Sequence, residues 1–331
     1  MKKAIRKLAA IGLAATMAGC SVGGSATSTA SSAASVKDTD DLLIGVVQLV
    51  THPALDAATE GFVTTLKDEL GLTDDNFDIQ NAANEAATCS SIATAFVNEE
   101  VDLILANATP ALQAAASATA TIPVLGTAVT EYGTALAIDD FDGTVGTNVS
   151  GTSDLAPLDQ QASMFDELLP DAQHIGILYC SGEPNSVYQA KVVQAELEKA
   201  GKTVSTYTFA DSNDVSQVTA AACAESDALY IPTDNTAASC TEAIDAVASQ
   251  ANIPIIAGEE GIMTGCGIDS LSMSYYELGV TTGKMAAKIL KGEAKVSEMP
   301  IEYYPEPVKK YVPARCEKLG ITVPSDYTAA E

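Results

Sequence analysis

A strand–turn–helix–strand pattern that occurs in both halves of the chain constrains its fold most. In residues 227–260 an apolar strand ends in a polar turn, and a helix-like segment leads to a second apolar strand that begins with Ile-Pro. Residues 102–126 repeat this plan, including the Ile-Pro. A second pair of segments also matches: IGVV at 44–47 and IGIL at 175–178 each precede a Pro-initiated helix that ends at a glycine. Two repeats in the same order indicate two copies of one α/β domain.

Strands alternate with helices along both halves, which is typical of parallel sheets with right-handed crossovers. We predict an α/β fold of two similar, doubly wound parallel-sheet lobes. The predicted strands are 42–49, 77–80, 101–106, 122–125, 174–179, 204–209, 228–231 and 253–257. The predicted helices are 53–70, 85–98, 110–119, 158–169, 186–200, 215–224, 236–250, 275–290 and 309–320.

Three segments are predicted to pass between the lobes. Residues 139–153 are rich in turn residues, so a first passage is placed at 153–157. Residues 270–273 cross back, and 301–304 form a final crossing strand. The predicted lobes are therefore 41–155 plus 275–303 and 156–274 plus 304–331, joined by a three-strand hinge.

The first residues have the features of a secretory signal peptide. A basic start, an apolar run and small residues precede Cys20. The end of this segment resembles the lipobox of bacterial lipoproteins, with Met17 where leucine is usual, and an ordinary signal peptide followed by a chance cysteine is the alternative. We expect residues 1–19 to be removed, Cys20 to be lipidated, and residues 20–40 to form a flexible linker. The expected location is extracytoplasmic, anchored by lipid to the outer face of the cell membrane.

Charge narrows the range of partners. The net charge is −27, and it becomes −31 when the four cations Lys2, Lys3, Arg6 and Lys7 are removed with the signal peptide. Such a surface repels phosphate backbones, so nucleic acid is an unsuitable partner. No apolar run after Cys20 approaches the roughly 20 residues that span a bilayer. We expect a monomer held at the membrane by its lipid alone.

Metal, cofactor and catalytic motifs are absent from the sequence. The six cysteines after Cys20 include no CxxC pair, and the chain has two histidines. An even number of cysteines permits disulfides outside the cytosol, and burial as free thiols is at least as well supported. There is no GxSxG, P-loop, HExxH or GxGxxG signature. We predict no cofactor, no metal and no enzymatic activity. The six cysteines are Cys89, Cys180, Cys223, Cys240, Cys266 and Cys316.

Polar residues that follow the predicted strands are the candidate ligand contacts, because ligands of open parallel sheets bind beyond the carboxyl ends of the strands. The first half supplies hydroxyls and helix starts that suit an anion, and the second supplies carboxylates that suit a cation. A zwitterion between the lobes would satisfy both. Several candidates have structural alternatives: Thr109, Ser186 and Asp234 as helix caps, His52 as a capping or turn residue, and Glu259 as part of a solvated pair with Glu260. The candidates are Gln48, His52, Thr109, Thr127, Thr130, Glu183, Asn185, Ser186, Asp234, Asn235 and Glu259.

These turns resemble those of a known family. QLVTHPALD at 48–56, NATP at 107–110, GTAVT at 126–130, SGEPNS at 181–186, PTDN at 232–235 and AGE at 257–259 are similar to the lipoprotein solute-binding components of ABC importers, in the branch associated with tryptophan and other aromatic amino acids. The resemblance implies the type I periplasmic-binding-protein fold. It also implies that Thr109 and residues 127–130 hold an α-carboxylate and that Asp234 or Glu259 holds the ammonium. Glu131-Tyr132, where the family has Asp-Pro, and Cys180 depart from the pattern.

The resulting hypothesis is a receptor that binds an amino acid, expected to be aromatic, between its lobes and delivers it to an ABC permease and its ATPase. The same fold binding a sugar or nucleoside is one alternative, although the absence of tryptophan argues against a sugar site. A ligand-sensing module that signals to a membrane kinase is another, and an extracellular enzyme is a third.

Overall fold

A computed structural model describes residues 37–305 and 307–330. The predicted signal peptide, Cys20 and nearly all of the predicted linker lie outside these residues. The strands are β1 Ile44–Gln48, β2 Phe77–Asn81, β3 Leu103–Asn107, β4 Val124–Val129, β5 Val149–Ser153, β6 His174–Cys180, β7 Thr203–Phe209, β8 Ala228–Ile231, β9 Ile255–Ala257, β10 Asp269–Ser272, β11 Glu302–Tyr303, β12 Val308–Tyr311 and β13 Thr328–Ala329.

The α-helices alternate with these strands, as the sequence pattern predicts. They are α1 Pro53–Leu70, α2 Ala86–Asn98, α3 Thr109–Ala118, α4 Tyr132–Leu136, α5 Leu158–Leu168, α6 Pro184–Lys199, α7 Val215–Glu225, α8 Asn235–Ser239, α9 Thr241–Ala251, α10 Glu260–Cys266, α11 Tyr275–Leu290 and α12 Pro313–Leu319. Pro53 and Pro184 stand at the first positions of α1 and α6, where a missing N–H costs nothing.

The strands form two sheets with the same internal order. The first is β2-β1-β3-β4-β5-β11, and the second is β7-β6-β8-β9-β10-β12-β13. Every neighbouring pair is parallel except β10 and β12. Strands one to five of each half therefore occupy equivalent places, and the predicted fold class of two similar parallel-sheet lobes is confirmed.

Helices cover both faces of each sheet. In the first lobe, one face packs Ile44 and Val46 against Phe62 of α1, and the opposite face packs Val47 against Phe96 of α2. Glycines let α11 approach α1 closely: a Cβ at Gly61 would collide with the Tyr276 carbonyl, and a Cβ at Gly279 with the Ala58 carbonyl. The helix that follows the second passage is thereby fixed to the first lobe.

The chain passes between the sheets after β5, after β10 and between β11 and β12. Because the carboxyl ends of β1, β3, β4 and β5 face those of β6, β8 and β9 across this hinge, the loops after these strands meet. The residue boundaries of the lobes stay predictions.

Some predicted elements differ from the structure. Residues 126–129 continue β4 instead of forming a turn, and the predicted helix 236–250 is divided at Cys240 into α8 and α9. The start of the predicted helix 309–320 is wrong: residues 308–311 form β12, which pairs with β10, and Pro313 opens the helix. Strand β5 and helices α4 and α10 were not predicted.

Two further findings concern the described residues. All six cysteines after Cys20 are free thiols, and all except Cys240 are buried. None of the helices in the described ranges has the length and hydropathy needed to cross a bilayer.

Candidate functional site

A small, largely enclosed cavity lies where the strand ends of the two lobes meet. Its walls come from both lobes and from the hinge. Six of the side chains predicted from the sequence line it, and six lining residues were not among the candidates. The predicted ones are His52, Thr130, Asn185, Asp234, Asn235 and Glu259; the others are Leu55, Ala128, Asp154, Thr233, Ala238 and Tyr275.

Asp234 and Glu259 hold their places in the cavity as helix caps. Asp234 precedes α8 and accepts hydrogen bonds from the backbone N–H of Ala237 at 2.8 Å and of Cys180 at 2.7 Å. Glu259 precedes α10 and accepts from the N–H of Gly261 at 2.6 Å and of Ile262 at 2.5 Å. Each carboxylate oxygen takes one backbone donor, so lone pairs remain for a ligand.

Burial works against ionisation of these groups. Asp234 is 1% exposed, and burial with the nearby Glu183 charge raises its pKa to about 8. Glu259 is 4% exposed, and burial raises its pKa to about 7, with Asp154 and Glu260 adding repulsion. A cation inside the cavity would stabilise the ionised forms.

Asp154 is a third carboxyl group in the cavity, and it stands on the hinge. It follows β5 directly, and its Oδ2 accepts a hydrogen bond from the Tyr275 hydroxyl, at the start of α11, at 2.9 Å. Its Oδ1 is buried without a partner. Burial raises the pKa of Asp154, although the Tyr275 hydroxyl lowers it. Asp154 therefore presents an unsatisfied acceptor that a cationic donor would complete.

No lysine or arginine is among the residues that line this cavity. Three carboxyl groups thus share a small, buried space without a lysine or arginine to balance them. Buried charges in proteins are normally paired, because an unpaired one is costly. In the described residues no group of three or more His, Cys, Asp or Glu is arranged to hold a metal ion.

The first lobe contributes uncharged residues to the wall. His52 and Leu55 stand at the beginning of α1, whose first turn has no side-chain cap. Thr130 follows β4, and its hydroxyl lies beside the Asp154 carboxyl. Ala128 has a left-handed φ of 51°, where the pairing of β4 with β5 shifts register. The uncapped N–H groups of α1 and the Thr130 hydroxyl are donors suited to a carboxylate.

Five predicted residues do not line the cavity, and four of them have partners within their own lobe. Gln48 donates to Val50 O and Asp56 and accepts from Thr59. The Thr127 hydroxyl lies 3.3 Å from that of Thr152 and 3.2 Å from that of Thr282. Ser186 is hydrogen-bonded to Thr233 O at 3.5 Å. Glu183 is saturated by donors of the second lobe.

Thr109 is the fifth. It is buried, but it is the first residue of α3 and not its cap, which is Ala108 with a left-handed φ of 88°. Asp234 is a cap, as its structural alternative predicts.

Of the unpredicted lining residues, Asp154 carries charge and Tyr275 an aromatic ring. Asp154 follows a strand that is polar in sequence, so no apolar run pointed to it. Its position at the start of the predicted passage between lobes, 153–157, is the one signal that could have found it.

Comparison with known proteins identifies the family. The model of the ABC transporter substrate-binding protein family matches residues 43–329. The chain belongs to this family. Its members bind substrates and are not enzymes, which confirms the prediction of no enzymatic activity.

One relative is similar to this chain in sequence, and one solved structure is similar to it in sequence and fold. A tyrosine-binding protein of Clostridioides difficile (strain R20291) is 37% identical over 260 residues, which cover 78% of this chain and 75% of that protein. The structure of an ABC domain from Streptococcus pneumonia in complex with L-Trp has a TM-score of 0.82 at 32% identity, covering 86% of this chain and 96% of that one. The type I periplasmic-binding-protein fold implied by the sequence is confirmed.

A further structure indicates the conformation of this substrate-binding protein. The ligand-free, open structure of a substrate-binding protein from Clostridium difficile is 36% identical and covers 88% of this chain and 99% of that one, yet its TM-score is 0.66. The L-Trp complex fits better despite its lower identity. With the cavity enclosed, the described lobes have a closed arrangement.

Proposed function

We propose that the protein binds an amino acid with an aromatic side chain in the cavity between its lobes and delivers it to an ABC permease. The observation that carries this proposal is the cluster of Asp154, Asp234 and Glu259, which is buried in a cavity that no lysine or arginine lines. An α-ammonium group supplies one positive charge and three N–H donors, and the three carboxyl groups can accept hydrogen bonds from these donors.

The solute's carboxylate completes the proposed arrangement. In this proposal the first turn of α1 and Thr130 bind it, opposite the acidic caps of the second lobe. Tyr275 provides a ring beside the solute's side chain. The names of the two relatives, one tyrosine-binding and one in complex with L-Trp, support an aromatic amino acid.

A solute held by both lobes would favour their closure. Since the solute contacts both lobes only when they meet, it stabilises the closed form by its differential affinity. A permease can then distinguish the loaded protein from the empty one. A sugar or nucleoside would leave the buried carboxyl groups without a cation, so this alternative is less well supported.

A thermal-shift panel of L-amino acids, sugars and nucleosides tests the proposed solute. At a hundredfold excess over Kd a solute adds about 2.7 kcal/mol to the free energy of unfolding, which raises Tm by on the order of 5 °C. We expect L-tyrosine or L-tryptophan to give this shift and glucose and adenosine to give none. A shift with a sugar alone would contradict the proposal.

We also propose that Cys20 is lipidated and holds a monomeric, extracytoplasmic protein at the membrane. Mass spectrometry of the protein isolated from membranes of expressing cells tests this anchor. A diacylglyceryl adduct on Cys20, lost together with membrane retention in Cys20→Ser, is the expected result. An unmodified Cys20 in membrane-bound protein would refute it, and light scattering of the mature protein tests the monomer.

A further inference from the structure

Two hydrogen bonds join the lobes beside the cavity. The Nε2 atom of His52, at the start of α1, lies 3.3 Å from Oδ1 of Asn235. The Asn84 amide, before α2, donates to the Thr236 hydroxyl at 3.0 Å. Both partners in the second lobe belong to the first turn of α8, so both hydrogen bonds depend on the position of this turn.

Glu183 holds both of these partners. Its Oε2 accepts from the backbone N–H of Asn235 at 2.9 Å and from the Asn235 side-chain amide at 2.7 Å. Its Oε1 accepts from the backbone N–H and the hydroxyl of Thr236, each at 2.8 Å. The Asn185 amide adds a fifth donor at 3.2 Å. A carboxylate with this many donors has little capacity left for a solute.

The bond from Asn235 to Glu183 also fixes the protonated nitrogen of His52. Because the Asn235 amide nitrogen donates to Glu183, its oxygen faces His52 and acts as the acceptor. His52 then donates through Nε2–H, which leaves Nδ1 as an acceptor. Nδ1 is buried without a partner on a ring that lines the cavity and is 6% exposed.

We propose that Glu183 is a positioning residue for closure: by holding Asn235 and Thr236 it positions the second-lobe partners of the two hydrogen bonds beside the cavity, and through Asn235 it sets the His52 tautomer that offers Nδ1 to the solute. This inference rests on the proposed function for its solute. It assigns Glu183 a role that acts through the first turn of α8 and not through contact with the solute.

Stopped-flow kinetics with L-tyrosine test the contacts between the lobes. Contacts made only after closure affect dissociation more than association. We expect Glu183→Gln to speed dissociation about tenfold and Asn84→Ala about threefold, with association rates within about twofold. The control Glu131→Gln, a cap of the first lobe outside the cavity, should change neither rate. Unchanged dissociation in Glu183→Gln would overturn the proposal.

A double-mutant cycle separates positioning from direct contact. If Glu183 acts through Asn235 and Thr236, Glu183→Gln should lose most of its effect on dissociation in a background that carries both Asn235→Ala and Asn84→Ala, where neither hydrogen bond between the lobes can form. A full effect of Glu183→Gln in that background would show that Glu183 acts on the solute independently, which contradicts the proposal.

NMR of ¹⁵N-histidine-labelled protein reads the tautomer directly, since the chain has two histidines and His174 is an exposed internal reference. With L-tyrosine bound, His52 should be in the Nε2–H form, and Glu183→Gln should give a mixture without moving the His174 signals. A His52 in the Nδ1–H form in the unsubstituted protein would refute the proposal that Glu183 sets the His52 tautomer through Asn235.

Hydrogen–deuterium exchange of the solute-free protein tests the role of Glu183 without any solute. The N–H groups of Asn235 and Thr236 are bonded to Glu183, so Glu183→Gln should speed their exchange about tenfold, whereas Asn84→Ala should not. Equal exchange in the two variants would overturn the proposal. Failure of L-tyrosine to bind the unsubstituted protein would instead refute the proposed function, and this measurement would still decide the role of Glu183.

Discussion

Two glutamates cap helices at equivalent positions of the two lobes, but only one of them lies in the cavity. Glu131 stands two residues after β4, and Glu259 stands two residues after β9, the equivalent strand of the other lobe. Each caps the helix that follows by accepting hydrogen bonds from two backbone N–H groups. Glu131 is half-buried outside the cavity, whereas Glu259 is buried in its wall. A glutamate that caps a helix after a strand is therefore a candidate ligand contact only where it is buried in the cavity wall, and the capping motif alone does not indicate binding.

The first prediction has the largest expected effect. If it failed, Glu259 would not differ from Glu131 in its role in binding. Replacing Glu259, Asp234 or Asp154 by its amide removes a buried negative charge from the proposed ammonium site. Truncating one member of a buried charge pair costs about 2 to 5 kcal/mol, so each variant should weaken L-tyrosine binding about 30-fold or more. Calorimetric titration measures this loss.

The matched control is Glu131→Gln, which changes the same cap outside the cavity. Its affinity should stay within about threefold of the unsubstituted protein, as for an exposed charge. Equal losses for Glu131→Gln and Glu259→Gln would show that capping, and not the cavity, matters for binding.

The second prediction concerns pH. The pKa of Asp234 is raised to about 8 and that of Glu259 to about 7 in the folded protein. Groups with raised pKa values contribute stability that is fully present below the unfolded pKa, near 4, and is lost as pH rises through the folded pKa. The Tm of the solute-free protein should therefore fall by on the order of 5 °C between pH 5 and pH 8.5.

Two variants sharpen this prediction. Glu259→Gln should reduce the fall in Tm, since it removes one of the carboxyl groups with a raised pKa, whereas Glu131→Gln should leave it unchanged. Saturating L-tyrosine should also reduce the fall, because its ammonium stabilises the ionised carboxylates. A Tm that rises with pH over this range would contradict the assignment of these groups.

The third prediction uses another pair of equivalent positions. Ser150 on β5 and Asp269 on β10 pair with equivalent residues, Leu125 and Ile256. The Ser150 hydroxyl donates to Met299 O at 3.0 Å, but both carboxyl oxygens of Asp269 are buried without a partner. Burial raises the pKa of Asp269 well above its usual value.

Asp269→Ser should stabilise the second lobe by about 1 kcal/mol at pH 7, because it removes an unsatisfied buried carboxyl group. Urea unfolding measures the change, and Asp269→Asn, which keeps the size but not the acid, serves as the control for charge. A loss of stability in both variants would show that Asp269 has a partner in solution.

The sequence predicted the repeated fold because its strands are apolar runs and its helices begin at prolines and end at glycines. It did not predict β5, in which Ser150, Thr152 and Ser153 are buried. Their hydroxyls bond to Met299 O, Thr282 and Thr130 O, partners distant in sequence, so no local pattern marks the strand. Helices α4 and α10 are too short to show helical periodicity.

The candidate site was predicted only in part for a related reason. Polar residues after strands can be read from the sequence, but which of them meet depends on how the lobes close. Asp154 was missed with β5, while Glu183 has the residue type of a ligand contact and instead accepts hydrogen bonds from α8. The closing contacts of His52 and Asn84 join residues far apart in the chain, which spacing does not encode.

The claim that a buried acidic cluster binds the α-ammonium of an aromatic amino acid is tested most directly by removing that group from the solute. Calorimetric titrations with L-tyrosine and with 3-(4-hydroxyphenyl)propanoate, which lacks the amine, make this comparison on the unsubstituted protein. The account predicts tight binding of L-tyrosine and at least about a hundredfold weaker binding of the propanoate. Equal affinities for the two compounds would contradict it.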